Sequence, residues 1–207
     1  LRTGTLSAAI LFIISAFAVI QVLQIESTVW LCVLLGSVAG IFIGLATEYY
    51  TGGKPMRQIA KSSQTGVATV IISGLATGMQ SVAIPLGTIA GTLLAANEFA
   101  GLYGVGIAAV GMLSTIGITM SIDAYGPIAD NAGGIAEMAG LGRKTRQITD
   151  SLDEVGNTTA AIGKGFAIGA ASLAGLAIIA AYVNVVRAHH PDFALHLADA
   201  SVLTGVF

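Results

Sequence analysis

Long apolar stretches separated by short polar segments make up most of the chain. A helix needs about 20 apolar residues to cross a bilayer core, and five stretches reach or approach that length. We predict spanning helices near residues 6–24, 28–50, 82–96, 101–138 and 151–186. The last two are longer than a bilayer is thick, so they should project beyond it on one side. The pattern predicts an all-α integral membrane protein with the architecture of a polytopic transmembrane helix bundle.

Glycine and proline modify this pattern in two places. The stretch 65–96 contains Gly74, Gly78 and Pro85, which favour a partly inserted segment before the spanning helix at 82–96. In the second span, a glycine recurs at every fourth position, at Gly36, Gly40 and Gly44. Small residues at this spacing let membrane helices approach closely, so we interpret them as packing positions.

Composition agrees with a membrane protein and excludes several functional classes. Only 10% of residues are charged and 55% are hydrophobic, whereas an average soluble domain has about 25% charged residues. Mean hydropathy is +0.85. No basic patch with interleaved aromatic side chains appears, so nucleic acid is not an expected partner. Cys32 is the single cysteine, which leaves no disulfide framework and no cysteine metal site.

Basic residues indicate how the chain is oriented in the membrane. Six of the nine lysines and arginines lie in two short loops: Lys54, Arg57, Lys61, Arg143, Lys144 and Arg146. By the positive-inside rule, both loops should be cytoplasmic. The segment between them must then cross the membrane twice, with an outer turn near Asn97 and Glu98.

A group of polar residues lies within the apolar helices, between Asp123 and Gly165. Such groups cost several kcal/mol in lipid unless they line a polar cavity, so they indicate a functional site. Asp123, Asp130 and Glu137 are spaced by seven residues and should project from about the same side of one helix. Pro127 lies between the first two, where it should kink the helix.

The next helix carries a second polar face, formed by Asp150, Asp153, Asn157 and Lys164. Ser151 and Glu154 match a capping box, which predicts that this helix starts near Ser151. The turn at 140–146 is short enough to make the two helices antiparallel neighbours. Both polar faces should therefore meet at the cytoplasmic mouth of the bundle.

The residue types in this group favour a magnesium-phosphate site. Carboxylate and amide oxygens are the hard ligands that Mg²⁺ prefers, and Lys164 supplies a point charge for a phosphate. Two alternatives remain open. Asp123 and Lys164 could form a structural ion pair inside the bundle. Glu137, Asp150 and Glu154 could be ordinary solvated residues near the basic turn.

Two sequence runs carry a resemblance to a known family. The run from Asp123 to Met138 and the run from Gly156 to Gly169 are similar to the two central signatures of the membrane-bound, ion-translocating inorganic pyrophosphatases. The resemblance implies a homodimer of about sixteen-helix subunits that hydrolyses inorganic pyrophosphate and moves H⁺ or Na⁺ out of the cytoplasm. The present chain would then be an internal fragment that is inactive alone.

The resemblance also implies roles for individual residues. Asp130 and Asn157 would belong to the magnesium-pyrophosphate shell. Lys164 would contact a phosphate group and, with Asp130, would be catalytic. Asp123, deeper in the membrane, and Glu48, at a cytoplasmic helix end, would be coupling or supporting carboxylates.

Potassium dependence is the last property that the resemblance implies. Ala160 and Gly163 match the branch of the family that requires K⁺, so K⁺ is the expected activator and Mg²⁺ the expected cofactor. The expected location is the plasma (inner) membrane of a prokaryote, with the active site facing the cytoplasm.

The alternative function is a secondary ion transporter or channel, in which Asp123, Asp130 and Lys164 bind an ion at a broken helix without hydrolysis.

Overall fold

Helices account for nearly all of the computed structural model, which describes residues 2–196 and 198–206, without the side chains at positions 2, 157, 158, 166 and 206. The described residues form α1 (Arg2–Val22), α2 (Ser27–Gly52), α3 (Lys54–Ser62), α4 (Val67–Ser81), α5 (Ala83–Met112), α6 (Ile116–Met138), α7 (Arg143–Arg187) and α8 (Ala200–Val206). A short 3₁₀ turn, Leu113–Thr115, joins α5 to α6. This part of the chain contains no strand, which confirms the predicted all-α fold.

The chain reverses direction inside α5. Ala100 and Gly101 have non-helical dihedrals, and Gly101 has φ 61° and ψ −156°, a conformation that glycine adopts without a steric penalty. Ala96 and Gly104 would lie about 12 Å apart in a straight helix. Instead, a Cβ placed on Gly104 would collide with the Ala96 carbonyl. The turn predicted near Asn97 and Glu98 therefore lies at Ala100–Gly101, slightly later in the chain.

The helix preceding this turn is less interrupted than the sequence indicated. Val82 separates α4 from α5 but keeps near-helical dihedrals, with φ −79° and ψ −24°. Gly74 and Gly78 lie within α4 and do not interrupt it. After the turn, residues 102–138 follow as the second half of α5, the 3₁₀ turn and α6, and Pro127 is accommodated inside α6.

The start of α7 corrects a prediction. The helix begins at Arg143 after Gly142, and not at Ser151. Ser151 lies inside the helix, where its hydroxyl donates a hydrogen bond of 2.9 Å to the Ile148 carbonyl. Gly140, with φ 59°, and Gly142 form the break between α6 and α7. The residues after Gly142 favour helix, so the helix extends back to these glycines and the apparent capping box is not used.

Small residues bring α2 into backbone contact with the second half of α5. A Cβ on Gly36 would collide with the Ala108 carbonyl, and one on Gly111 would collide with the Val33 carbonyl. The buried Ser37 hydroxyl donates a 2.9 Å hydrogen bond to the Gly111 carbonyl across the same interface. The glycine seam on α2 is therefore a packing surface, as predicted.

Within the described part of the chain, four helical stretches are long and apolar enough to cross a membrane: Thr3–Val22, Ser27–Ser62, Val67–Met138 and Arg143–Arg187. The third contains the reversal at Ala100–Gly101, so it has room for two crossings. The protein is thus a polytopic integral membrane protein. Its charged side chains lie mainly on α6 and α7 and on the short helix α3.

Candidate functional site

Helices α6 and α7 form an antiparallel hairpin, as predicted. A Cβ on Gly156 would lie 2.8 Å from the Cα of Gly126, so the two backbones approach closely between these glycines. The Tyr125 hydroxyl donates a 3.1 Å hydrogen bond to the Leu152 carbonyl of the facing helix. These contacts set the register of the hairpin, and the register decides which polar residues lie at the same level.

Arg146 joins the two helices at the tip of the hairpin. Its guanidinium donates a 2.8 Å hydrogen bond to the Gly133 carbonyl and lies 3.2 Å from carboxylate oxygens of both Glu137 and Asp150. Glu137 and Asp150 therefore pair with a basic residue near the turn. This pairing supports the interpretation of these two carboxylates as ordinary solvated residues. From the sequence, Arg146 served only as an indicator of membrane orientation and as one of the basic residues near these carboxylates. Its spacing of four from Asp150 is, however, a known signal for a helical ion pair.

Asp123 and Lys164 lie at one level, farther from the tip. Both line a cavity of about 90 Å³, together with Met112, Thr115 and Thr119. The Oδ1 atom of Asp123 is buried and, within the described part of the chain, accepts no hydrogen bond. A buried polar atom without a partner normally contacts water or an ion, and the cavity is large enough for a few water molecules.

Asp130 lies nearer the tip and is exposed. It follows Asp123 by seven residues, which is about 10 Å along a helix axis. The Asn157 backbone precedes Lys164 by the same number of residues, so it also lies about 10 Å nearer the tip. The side chain of Asn157 lies outside the described residues, as noted above. The hairpin thus carries polar residues at two levels along its axis: Asp123 and Lys164 at one, and Asp130 with the Asn157 backbone at the other, nearer the tip. The Lys164 backbone lies at the level of Asp123 rather than that of Asp130.

The remaining predicted residues lie around these two levels. Glu48 is half-buried and, with Glu154 on α7, lines a mainly apolar cleft of about 680 Å³ between α1, α2, α6 and α7. Ala160 and Gly163 are half-buried on α7. A Cβ on Gly163 would lie 3.1 Å from a methyl carbon of Thr119 and 3.6 Å from Asp123 Oδ1. Glycine at this position therefore keeps α6 close and leaves room beside the buried carboxylate.

A complete metal site is not formed by these side chains. In the part of the chain that the structure describes, no three His, Cys, Asp or Glu side chains are close enough to hold a metal ion. Asp130 is exposed, and its carboxylate oxygens are hard ligands of the kind that Mg²⁺ prefers. It could therefore supply one ligand of a larger coordination shell. Further ligands would have to come from substrate, water or other helices.

The fold and the hairpin define a polytopic helical membrane protein with ionisable groups on two adjacent helices. The sequence profile of the family described as inorganic H⁺ pyrophosphatase matches residues 1–207, which is the whole chain. The chain belongs to this family.

Individual relatives agree with this assignment. A protein of Bacteroides thetaiotaomicron is 52% identical over 90% of this chain. A Thermotoga maritima protein named as a K(+)-stimulated pyrophosphate-energized sodium pump is 48% identical over 85% of the chain. A Methanosarcina mazei protein named as a K(+)-insensitive pyrophosphate-energized proton pump is 41% identical over 100% of it. These alignments span 27%, 26% and 32% of the three relatives, so the chain covers about a quarter to a third of their length.

Proposed function

We propose that the full-length protein hydrolyses inorganic pyrophosphate at a cytoplasmic Mg²⁺ site and uses the reaction to pump H⁺ or Na⁺ across the membrane. The observation that carries this proposal is the family match over the whole chain, together with relatives named as pyrophosphate-energized pumps. The proposal includes a multi-pass protein in the plasma (inner) membrane of a prokaryote, a homodimeric assembly, and an active site at the tip side of the α6–α7 hairpin.

Asp130, Asn157 and Lys164 are the proposed substrate residues. Asp130 is exposed on the tip side, where its carboxylate can bind Mg²⁺, and Asn157 belongs to the same shell. The bound Mg²⁺ would offset the negative charge of pyrophosphate and polarise the phosphoryl group for attack by water. Lys164 starts one level deeper, and its flexible stem can carry the ammonium group toward a phosphate at the Asp130 level.

Asp123 and Glu48 are the proposed coupling or supporting carboxylates. The buried Oδ1 of Asp123 faces a small cavity at the base of the polar hairpin. A carboxylate in such a position can change its contacts when the helices move by a small distance, because its Oδ1 accepts no hydrogen bond from the described residues. The coupling role of Glu48 has less support, since this residue lines a wider and mainly apolar cleft.

K⁺ is the proposed activator, with Ala160 and Gly163 as the residues that determine the requirement. The relative named K(+)-stimulated is 48% identical to this chain, whereas the one named K(+)-insensitive is 41% identical. Gly163 lies beside Asp123, and Ala160 precedes it by three residues on the same helix. Small residues at both positions would leave space for a cation where a lysine ammonium would otherwise lie.

The test is phosphate release from pyrophosphate by membranes that contain the full-length protein, with Mg²⁺ present. Lys164→Ala and Asp130→Ala should each lower the rate by about a hundredfold, because each removes a charge that stabilises the transition state. Lys144→Ala, which removes an exposed lysine of the same hairpin, should leave the rate unchanged.

Two outcomes would contradict parts of the proposal. Unchanged hydrolysis in both Lys164→Ala and Asp130→Ala would reject the site assignment. Ion transport by the wild-type protein without any release of phosphate would instead identify a secondary transporter or channel.

A further inference from the structure

Helix α3 is the most strongly amphipathic helix among the described elements, and the proposed function does not use it. At 100° per residue, Lys54, Arg57 and Lys61 lie within about 60° of one another on one side of the helix. Met56 and Ile59 lie on the opposite side. The three basic side chains are exposed, and Met56 is 45% exposed, so neither face is fully covered by the described chain.

The length of α2 indicates where α3 lies relative to the bilayer. Helix α2 begins at Ser27, directly after a polar turn that contains Gln24 and Glu26. From Ser27 to Tyr49 a helix rises about 33 Å, close to the roughly 30 Å thickness of a bilayer core. Tyr49 and Tyr50 pack edge to face, with ring centroids 5.2 Å apart, at a position where interfacial tyrosines are enriched. The end of α2 therefore lies at the membrane–water interface.

Helix α3 starts immediately after this point. The Gly53 amide donates a 3.0 Å hydrogen bond to the Tyr49 carbonyl, and a Cβ on Gly53 would collide with that carbonyl. Glycine thus lets the chain leave α2 without a spacer, and Lys54 is the next residue. The basic face of α3 consequently lies within the headgroup layer rather than in bulk water.

No protein partner neutralises this face in the described part of the chain. The ion pairs recorded there join Arg146 to Glu137 and Asp150, and none of them involves α3. Three exposed cations beside an apolar face, at the depth of lipid phosphates, match the chemistry of anionic phospholipid headgroups. We propose that α3 is an interfacial helix that binds anionic phospholipid through Lys54, Arg57 and Lys61, with Met56 and Ile59 turned toward the acyl chains.

The test measures binding of phosphatidylglycerol and phosphatidylcholine to the purified full-length protein by native mass spectrometry. Replacing all three cations, as Lys54→Gln, Arg57→Gln and Lys61→Gln together, should lower the affinity for phosphatidylglycerol by about tenfold to a hundredfold, with no change for phosphatidylcholine. A matched double variant, Arg143→Gln with Lys144→Gln, removes exposed cations elsewhere and should bind phosphatidylglycerol as the wild type does. The conservative variant Lys54→Arg with Lys61→Arg keeps both charges and should also retain the wild-type affinity for phosphatidylglycerol.

Each further outcome decides the proposal. Equal phosphatidylglycerol binding by the triple variant would overturn it, and so would an equal loss in the Arg143/Lys144 control. Displacement of the lipid by inorganic phosphate or pyrophosphate would identify a site for soluble phosphate instead. If the triple variant does not elute as a folded protein, the three single glutamine variants replace it, and each should weaken binding about fivefold. Hydrolysis is not a readout here, so failure of this proposal is distinct from failure of the proposed pyrophosphatase.

Discussion

The α2–α5 interface and the α6–α7 hairpin both contain glycines that let two backbones approach, but they differ in the side chains that surround these glycines. At the α2–α5 interface, glycines bring two backbones together along several turns, and a largely apolar cluster around Cys32, Ile43 and Met112 fills the remaining space. In the hairpin, close backbone contact is concentrated at Gly126 and Gly156, and polar groups follow on both sides. Close packing therefore determines the first contact, whereas ionisable side chains lie beside the second.

This difference has an energetic basis. Lipid tails are as apolar as the helices, so membrane helices associate mainly through close packing and interhelical hydrogen bonds. The α2–α5 interface has both, since Ser37 donates a hydrogen bond to Gly111 inside the packed seam. The hairpin leaves cavities and exposed carboxylates, which costs packing but leaves space that the proposed substrate or ions could occupy. We expect the first region to tolerate little change and the second to tolerate changes that alter function.

The largest effect on folding is expected at the α2–α5 seam. Gly36→Ala places a Cβ against the Ala108 carbonyl, so the helices must separate, at a cost of about 3 kcal/mol. Thermal unfolding of the purified full-length protein should show a clearly lower melting temperature. Gly87→Ala is the matched control, because its Cβ would meet no atom within 4 Å, and a similar loss of stability in both variants would contradict the special role of the seam.

A functional change without loss of stability is expected in the hairpin at Ala160. Ala160→Lys supplies an ammonium group near the place proposed for K⁺, so hydrolysis by the full-length protein should become independent of K⁺. The measurement compares rates in K⁺ and in choline, with the melting temperature recorded for the same preparations.

Ala160→Met is the control for this prediction, since it adds bulk without charge and should not replace K⁺. A wild-type rate that is already the same in choline would reject the predicted potassium requirement. A large fall in melting temperature for Ala160→Lys would remove the proposed contrast between the two regions.

The smallest effect is expected at the hairpin tip. Arg146→Gln removes two exposed ion pairs and the hydrogen bond to Gly133, which together contribute about 1 kcal/mol. Amide hydrogen exchange around residues 139–150 should become faster, while the rest of the bundle keeps its protection. Arg143→Gln removes an exposed arginine of the same turn and should leave exchange unchanged; equal acceleration in both variants would contradict the proposed bridge.

Some features of the fold were predictable because they depend on local composition. Apolar length located the long helices, and glycine spacing on α2 indicated a packing face. The start of α7 was predicted wrongly, because Ser151 and Glu154 resemble a cap but lie inside a helix that extends back to Gly142. Local patterns identify helices well, but they do not show which of two possible breaks the chain uses.

The candidate site shows the same limit at a larger scale. The polar residues of both helices were found from sequence, since ionisable groups are rare in apolar helices. Their grouping was not, because it depends on how far α7 slides along α6. The contact between Gly126 and Gly156 sets that register, and it places Lys164 beside Asp123 while Asp130 lies nearer the tip.

The sequence by itself determined that this protein is a membrane helix bundle of the inorganic pyrophosphatase family, because apolar length and conspicuous polar runs are properties of single segments. Only the tertiary structure decided the position of the reversal at Ala100–Gly101, the Arg146 bridge and the level of each carboxylate. These features depend on contacts between residues far apart in the chain, and such contacts arise from packing between helices that no single segment encodes.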